Sequence, residues 1–234
     1  MPPTLVLIRH AEALHNVNQE YNIADPELSE RGRQQCVQLA RHLETQFPAE
    51  LDVGLILVSP MRRTVETALL SLGSFLQKGV PIQAHASWQE NSDKPCDTGS
   101  PLDALAREFP QVDFSRVDPV YPDKTSPRAA RYRYSRSAIL ARAQSALAEL
   151  HDRPEKAVIV VSHSGFLRQG VTGHWYANAD YRIYDFAPRA SADAPIRLRQ
   201  WEQTRRGGMG WSPEEAVEIG EDIPEEDVSP PPAP

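Results

Sequence analysis

The 234-residue sequence has no long apolar segment and almost no cysteine. No stretch approaches the roughly 20 apolar residues that a membrane-spanning helix needs, and the amino terminus lacks the basic start and apolar run of a secretory signal. The two cysteines, Cys36 and Cys96, have no metal-ligand spacing, which predicts free thiols in a reducing compartment. We therefore expect a soluble, cytoplasmic protein without a membrane partner.

Basic residues are absent from Pro213 onward, where eight acidic residues and several prolines occur. The preceding 212 residues carry 24 acidic and 25 basic side chains, so the net charge of -7 belongs to the tail. A nearly neutral body with little interleaving of aromatic and basic residues makes nucleic acid a poor candidate partner. The composition predicts one domain over residues 1–212 and an acidic, proline-rich, disordered tail over residues 213–234.

Short apolar segments alternate with helical patterns along the body of the chain. Residues 5–8 are consecutive apolar residues, as in a strand buried on both faces of a parallel sheet. Further strands are predicted at residues 53–58, 80–84 and 157–161, and an edge pair at 181–186 and 196–201. Helices are predicted at residues 29–47, 60–72 and 126–151. This alternation predicts an α/β fold, a three-layer α/β/α domain with a mostly parallel central sheet and a lid-like insertion at about residues 85–135.

Basic side chains follow three of the predicted strands. They are Arg9 and His10, Arg62 and Arg63, and His163. Because the carboxyl ends of parallel strands share one edge of a sheet, we expect these groups to face one ligand. The backbone N–H groups of Ser164 and Gly165 add positive potential, and Glu90 follows the third strand. Such a site is expected to bind a phosphate dianion with no metal and no other cofactor.

Four short motifs occur in a fixed order along the chain. They are Arg9-His10-Ala11-Glu12, the segment Asp-Pro-Glu-Leu-Ser-Glu-Arg-Gly at 25–32, the segment Ser-Pro-Met-Arg-Arg-Thr-Val-Glu-Thr-Ala at 59–68, and Ser162-His163-Ser164-Gly165. With Asn16, they resemble the motifs of the histidine phosphatase superfamily, whose fold is phosphoglycerate mutase-like. The resemblance covers residues 5–168 and is closest to a phosphatase-type branch.

The resemblance implies a role for each of these side chains. His10 is implied as the nucleophile that forms a phosphohistidine, because a neutral imidazole nitrogen attacks phosphorus well. The implied phosphate-binding residues are Arg9, Arg63, His163, Asn16 and Ser164. Glu90 is the expected general acid and base, with Asp93 and Asp97 as nearby alternatives. Two other readings stay open: Arg62 could replace Arg63, and Asn16 could simply cap a turn.

Two departures from the family pattern bear on function. Ala11 replaces the motif glycine, which costs little unless that position has a positive φ angle. The chain also lacks the mutase branch's aromatic-rich signature and its Glu-Arg-His-Tyr loop. We therefore predict a phosphoric monoester hydrolase, a metal-independent phosphatase of a small phosphorylated metabolite. A phosphoglycerate mutase-type phosphotransferase and a catalytically weak phosphate-binding interaction module are the alternatives, and homo-oligomer formation is left open.

Two further sets of residues match no motif. Five histidines are expected to be surface or core residues, namely His15, His42, His85, His151 and His174. A basic cluster precedes and enters the predicted helix at 126–151, namely Lys124, Arg128, Arg131, Arg133 and Arg136. The cluster is either a solvated helix face or a surface that attracts a second phosphate of the substrate.

Overall fold

A sheet of six strands forms the centre of the protein in the computed structural model, which describes residues 1–191 and 193–225. The strands are β1 (Thr4–Arg9), β2 (Val53–Val58), β3 (Ile82–Ala84), β4 (Ala157–Ser162), β5 (Tyr181–Phe186) and β6 (Leu198–Gln200). Their order is β3-β2-β4-β1-β5-β6; the first four are parallel, and β5 and β6 pair in antiparallel fashion. The predicted α/β fold with a mostly parallel sheet is confirmed.

Helices and short 3-10 turns connect the strands. The helices are α1 (Leu14–Val17), α2 (Glu30–Gln46), α3 (Arg62–Ser71), α4 (Gly73–Gln77), α5 (Leu102–Glu108), α6 (Arg136–His151) and α7 (Ser164–Phe166). A wider, π-helical turn at Leu167–Thr172 continues α7. The 3-10 turns lie at Ala86–Trp88, Pro95–Asp97, Pro127–Tyr132 and Glu202–Thr204.

Alternate residues of the central strands point into two separate hydrophobic cores. On one face, Val6 packs in a cluster that includes Leu39 of α2 and Val65 of α3. On the other face, Leu7 belongs to a cluster that includes Leu147 of α6. Because side chains along a strand alternate between faces, a strand that is apolar throughout must be covered on both sides. The structure therefore has the predicted helix, sheet and helix layers.

Local capping decides where the two longest helices begin. Ser29 caps α2, since its Oγ accepts a hydrogen bond from the N–H of Gly32 at 3.0 Å. Ser135 caps α6 in the same way through the N–H of Ala138. The prediction of one helix from residue 126 is therefore wrong at its start. Pro127 opens a separate 3-10 turn there, and the chain becomes extended at Arg133 before α6 begins.

The acidic tail packs against the body over residues 213–225. The N–H of Val217 donates to the carbonyl of Gly173 at 2.9 Å, and the N–H of Gly220 donates to the carbonyl of Gln169 at 2.7 Å. Ile223 is buried in the core below α6. These contacts differ from the disorder that the composition predicts, because composition does not reveal a single apolar anchor or backbone pairing. Residues 226–234 lie outside the described residues.

Both cysteines are free thiols, as predicted, and the structure buries both of them. No helix within residues 1–191 and 193–225 combines the length and hydropathy that crossing a bilayer requires. The same residues contain no group of three or more His, Cys, Asp or Glu side chains placed to hold a metal ion.

The register of the central strands aligns the ends that carry the site. Arg9 of β1 pairs with Ser162 of β4, and the N–H of His10 donates to the carbonyl of Ser162 at 3.0 Å. On the other side of β4, the N–H of Ser59 donates to the carbonyl of Val161 at 3.0 Å. The segments after β1, β2 and β4 therefore leave the sheet side by side.

Candidate functional site

His10 lies at the centre of the cluster at the carboxyl edge of the sheet. Its Nδ1 is 2.7 Å from the carbonyl oxygen of Ala11, which can only accept, so Nδ1 carries the proton and Nε2 has a lone pair. Burial lowers the pKa of His10 well below its usual value, and the charges of Arg63 and Arg9 lower it further. The imidazole is therefore neutral, with an unprotonated nitrogen directed into the site.

Arg63, in the first turn of α3, is the guanidinium that reaches this nitrogen. Its Nε donates to Nε2 of His10 at 3.2 Å, and the side chain is fully buried. Arg62 instead points away and forms an ion pair with Glu108 at 2.7 Å. Of the two arginines that the sequence offered, the structure brings only Arg63 beside His10.

His163 and Arg9 complete the positive cluster. The rings of His163 and His10 are 5.2 Å apart between centroids, and Nε2 of His163 lies 2.9 Å from Oγ of Ser59. Arg9 donates from Nη1 to the carbonyl of Tyr176 at 2.7 Å, and burial lowers its pKa to about 10. Since an arginine with that pKa stays protonated at neutral pH, the cluster keeps its positive charge.

Several buried polar atoms of the cluster have no hydrogen-bond partner within the described part of the chain. They include Nε of Arg9, Nδ1 of His163 and Oγ of Ser164. Leaving a buried donor unpaired costs about 1–3 kcal/mol, so such atoms are uncommon unless they serve a ligand. Three such unpaired atoms in the cluster around His10 could form hydrogen bonds to the oxygens of an anion.

Glu90 lies beside His163 at the start of α7. Its carboxylate accepts hydrogen bonds from the N–H groups of Asn91 at 2.9 Å, Gly165 at 3.1 Å and Phe166 at 2.8 Å. Burial raises the pKa of Glu90, and the nearby charge of Asp97 raises it further. A raised pKa suits a carboxyl group that must hold a proton near neutral pH and then release it.

The two other carboxylates in this loop differ in position. Asp93 is exposed. Asp97 accepts from Nη2 of Arg63 at 3.2 Å and from Oγ of Ser92 at 2.6 Å, so its charge is paired with the guanidinium. Burial and hydrogen bonding therefore favour Glu90 and Asp97 over Asp93 as the carboxyl group of the site.

Asn16 and His15 form the rim on the α1 side. Oδ1 of Asn16 accepts from the N–H of Ala13 at 3.0 Å, so this side chain does cap the turn after β1. His15 is buried, and its ring centroid is 5.9 Å from that of His10. The sequence predicts that His15 is a surface or core residue. It is buried, and no motif in the sequence indicated that it lies beside His10.

A cavity of about 600 Å³ opens from this rim to solvent. Arg9, His15 and Asn16 form its inner wall, and two half-exposed tryptophans, Trp175 and Trp211, lie farther out. The guanidinium of Arg9 stands over the ring of Trp175 at 5.2 Å. Its volume is in the range of small-molecule sites, and His15, whose ring is 5.9 Å from that of His10, links it to the cluster.

The basic residues at 124–136 do not form one surface facing this cavity. Lys124 is buried beneath the Glu90 loop. Arg131 lies over the ring of Tyr132, and Arg136 forms an ion pair with Glu225 at 2.6 Å. Neither of the two sequence-based interpretations describes the whole set, because neighbours in sequence point to different parts of the molecule.

Comparisons with known proteins match most of the chain. The pattern of the histidine phosphatase superfamily (branch 1) matches residues 5–182. A probable phosphatase of Schizosaccharomyces pombe is 33% identical over 172 residues, covering 70% of this chain and 76% of that protein. A phosphoglycerate mutase-like protein of Arabidopsis thaliana is 29% identical over 202 residues, covering 70% and 72%. The solved structure of Bacillus stearothermophilus YhfR superposes with a TM-score of 0.53 at 20% identity, covering 85% and 96%.

Proposed function

Because this chain belongs to the histidine phosphatase superfamily, we propose that it hydrolyses the phosphate monoester of a small metabolite through a phosphohistidine on His10. The observation that carries the proposal is the state of that imidazole. Its Nδ1 proton is engaged by the Ala11 carbonyl, and its Nε2 lone pair accepts a hydrogen bond from Nε of Arg63, which turns to the phosphoryl oxygens when the ester binds. A neutral nucleophile next to fixed positive charge is what attack on a phosphate ester requires.

In the first half-reaction, Nε2 of His10 attacks phosphorus. An N–P bond forms as the ester P–O bond breaks, and the leaving oxygen takes a proton from Glu90. The guanidinium groups of Arg9 and Arg63 donate to the non-bridging oxygens as negative charge shifts among them. Nδ1–H of His163 is a further donor in the tautomer whose Nε2 accepts from Oγ of Ser59. The group attached to the leaving oxygen occupies the cavity bounded by Trp175.

In the second half-reaction, water replaces the leaving group. The Glu90 carboxylate takes a proton from this water while the water oxygen attacks phosphorus and the N–P bond breaks. Inorganic phosphate leaves, and His10 regains its lone pair at Nε2. One carboxyl group thus serves both steps and ends in its starting protonation state.

The first experiment measures hydrolysis of p-nitrophenyl phosphate and traps the enzyme intermediate by quenching into base, where phosphohistidine is stable. We expect wild type to gain the mass of one phosphoryl group, and His10→Ala to gain none and to lose about 10³-fold or more in rate. His151→Ala, a change on the far end of α6, is the matched control. Equal and negligible rates in wild type and His10→Ala would indicate a binding module instead.

A second experiment separates hydrolysis from phosphoryl exchange between positions of a substrate. The protein is incubated with 3-phosphoglycerate and a trace of 2,3-bisphosphoglycerate. We expect phosphate release without rapid isomer exchange, because the chain lacks the mutase-branch signatures. Rapid exchange without phosphate release would contradict the hydrolase assignment and favour the mutase.

A further inference from the structure

His15 is a third imidazole at the site, outside the motifs that identify the family. It follows the end of β1 by one short segment, on α1, and is 94% buried, with a relative exposure of 6%. Its ring is tilted by 46° to that of His10 at a centroid distance of 5.9 Å. The same side chain forms part of the cavity wall between Arg9 and Asn16. It therefore adjoins both the nucleophile and the cavity proposed for the leaving group.

The hydrogen bonds of Asn16 fix which nitrogen of His15 carries the proton. Oδ1 of Asn16 accepts from the N–H of Ala13 at 3.0 Å, so its Nδ2 is the atom that faces His15. That Nδ2 lies 3.0 Å from Nε2 of His15, and an amide nitrogen can only donate. Nε2 of His15 must then accept, which places the imidazole proton on Nδ1.

Nδ1 of His15 is a buried donor with no hydrogen-bond partner within residues 1–191 and 193–225. Burial, followed by the charge of Arg63, lowers the pKa of His15 to about 4, so the ring stays neutral and keeps this single donor at physiological pH. The neighbouring cations Arg9 and Arg63 make the surrounding space favourable for an anion. An unpaired N–H group in this positive potential is suited to donate a hydrogen bond to an oxyanion.

We propose that His15 is a substrate-binding residue whose Nδ1–H donates to an oxygen of the bound phosphoryl group. The inference rests on the proposed function for the identity of the ligand, an oxyanion of phosphorus held at His10. A neutral donor adds affinity for the anion without raising the positive charge near the nucleophile.

Two polar substitutions separate the two ends of the ring. In His15→Asn the amide group falls near the position of Nδ1, so a donor toward the phosphoryl group is kept. In His15→Gln the amide reaches the position of Nε2, so the contact with Asn16 is kept and the Nδ1 donor is lost. Both variants retain a polar side chain of similar size, and His151→Gln is the control outside the site.

The measurement is the inhibition constant of orthovanadate, and of inorganic phosphate, against p-nitrophenyl phosphate hydrolysis, together with the melting temperature of each variant. We expect His15→Gln to weaken both anions by about 10-fold or more, the typical effect of losing a hydrogen bond to a charged group, and His15→Asn to stay close to wild type. Unchanged inhibition in His15→Gln, or equal losses in both variants, overturns the proposal.

A spectroscopic measurement on the wild-type protein covers the case in which a variant fails to fold. In protein labelled with ¹⁵N-histidine, we expect an Nδ1–H proton signal of His15 to shift downfield and gain protection from exchange when vanadate binds. Absence of that change refutes the contact even if the enzyme turns over. Conversely, wild-type vanadate binding with the shift but without turnover refutes the proposed function and leaves the contact standing.

Discussion

Lys124 provides a sharp test of how the Glu90 loop is held. The ammonium group is buried and donates to the carbonyl oxygens of Glu90 at 2.7 Å, Ser92 at 2.7 Å and Asp97 at 2.5 Å. Burial lowers the pKa of Lys124 to about 7, yet three carbonyl acceptors at these distances match the three N–H donors of the ammonium form. All three acceptors belong to the segment that carries the proposed general acid, and Lys124→Met removes every one of these bonds.

The size of the effect follows from the balance of these bonds against desolvation. Each hydrogen bond to a charged group stabilises the folded protein by about 1.5–3 kcal/mol. The desolvation of the buried ammonium group cancels several kcal/mol of the total from the three bonds. We expect Lys124→Met to cost about 3 kcal/mol, because three buried carbonyls lose their donor. For a chain of this length, that corresponds to a melting temperature lower by about 6–12 °C, and to a drop in kcat/KM of up to about 100-fold if only the loop opens.

Thermal unfolding and hydrolysis of an alkyl phosphate, measured side by side, test the prediction. The matched control is Lys94→Met in the same loop, where the ammonium group is exposed and lies over the ring of Tyr21 at 4.6 Å. We expect the control to resemble wild type. If Lys124→Met also keeps the wild-type melting temperature and kinetics, the loop is held by other contacts and the reasoning is refuted.

Three further predictions concern other parts of the molecule. In Gly165→Ala the new Cβ would lie 2.5 Å from Oε1 of Glu90 and displace this carboxyl group. We expect the rate of alkyl phosphate hydrolysis to fall more than that of p-nitrophenyl phosphate, because the nitrophenolate leaving group needs no proton. Equal losses would contradict the role of Glu90. In Gly32→Ala the Cβ would meet a backbone carbonyl at 2.0 Å, and denaturant unfolding should show a loss of about 1–3 kcal/mol. The pKa values of His10 and His163 are lowered in the folded protein, so the unfolded chain binds more protons as the pH falls below their usual value of 6.5. The melting temperature should therefore decrease from about pH 7 to about pH 5, and His10→Asn should flatten that slope; a rise on acidification would reverse the sign of the argument.

The small cost of alanine in place of the motif glycine at position 11 could be predicted from the sequence. Ala11 is fully buried, and its N–H donates to Oγ1 of Thr67 at 3.0 Å. It is not among the described non-glycine residues with a positive φ angle. The expectation that alanine costs little there is consistent with this backbone, because a methyl group is unfavourable mainly in the left-handed region.

Other features depended on contacts that no local pattern contains. The choice between Arg62 and Arg63 follows from the turn of α3, which directs one guanidinium into the site and the other toward Glu108. The separation of Asp93 from Asp97 follows from the path of a loop without helical or strand periodicity. Composition predicted disorder beyond residue 212, yet residues 213–225 pair with the turn after α7.

The sequence by itself determined the buried strands and the chemistry at their ends, because an apolar run flanked by basic residues is a local property of the chain. Only the tertiary structure decided which of those groups meet. The pairing of β1 with β4 brings His10 and His163 together, and the burial that results sets their protonation. Burial and long-range hydrogen bonding depend on residues far apart in the chain. The contacts of His15 and Lys124 could therefore not be predicted from the sequence.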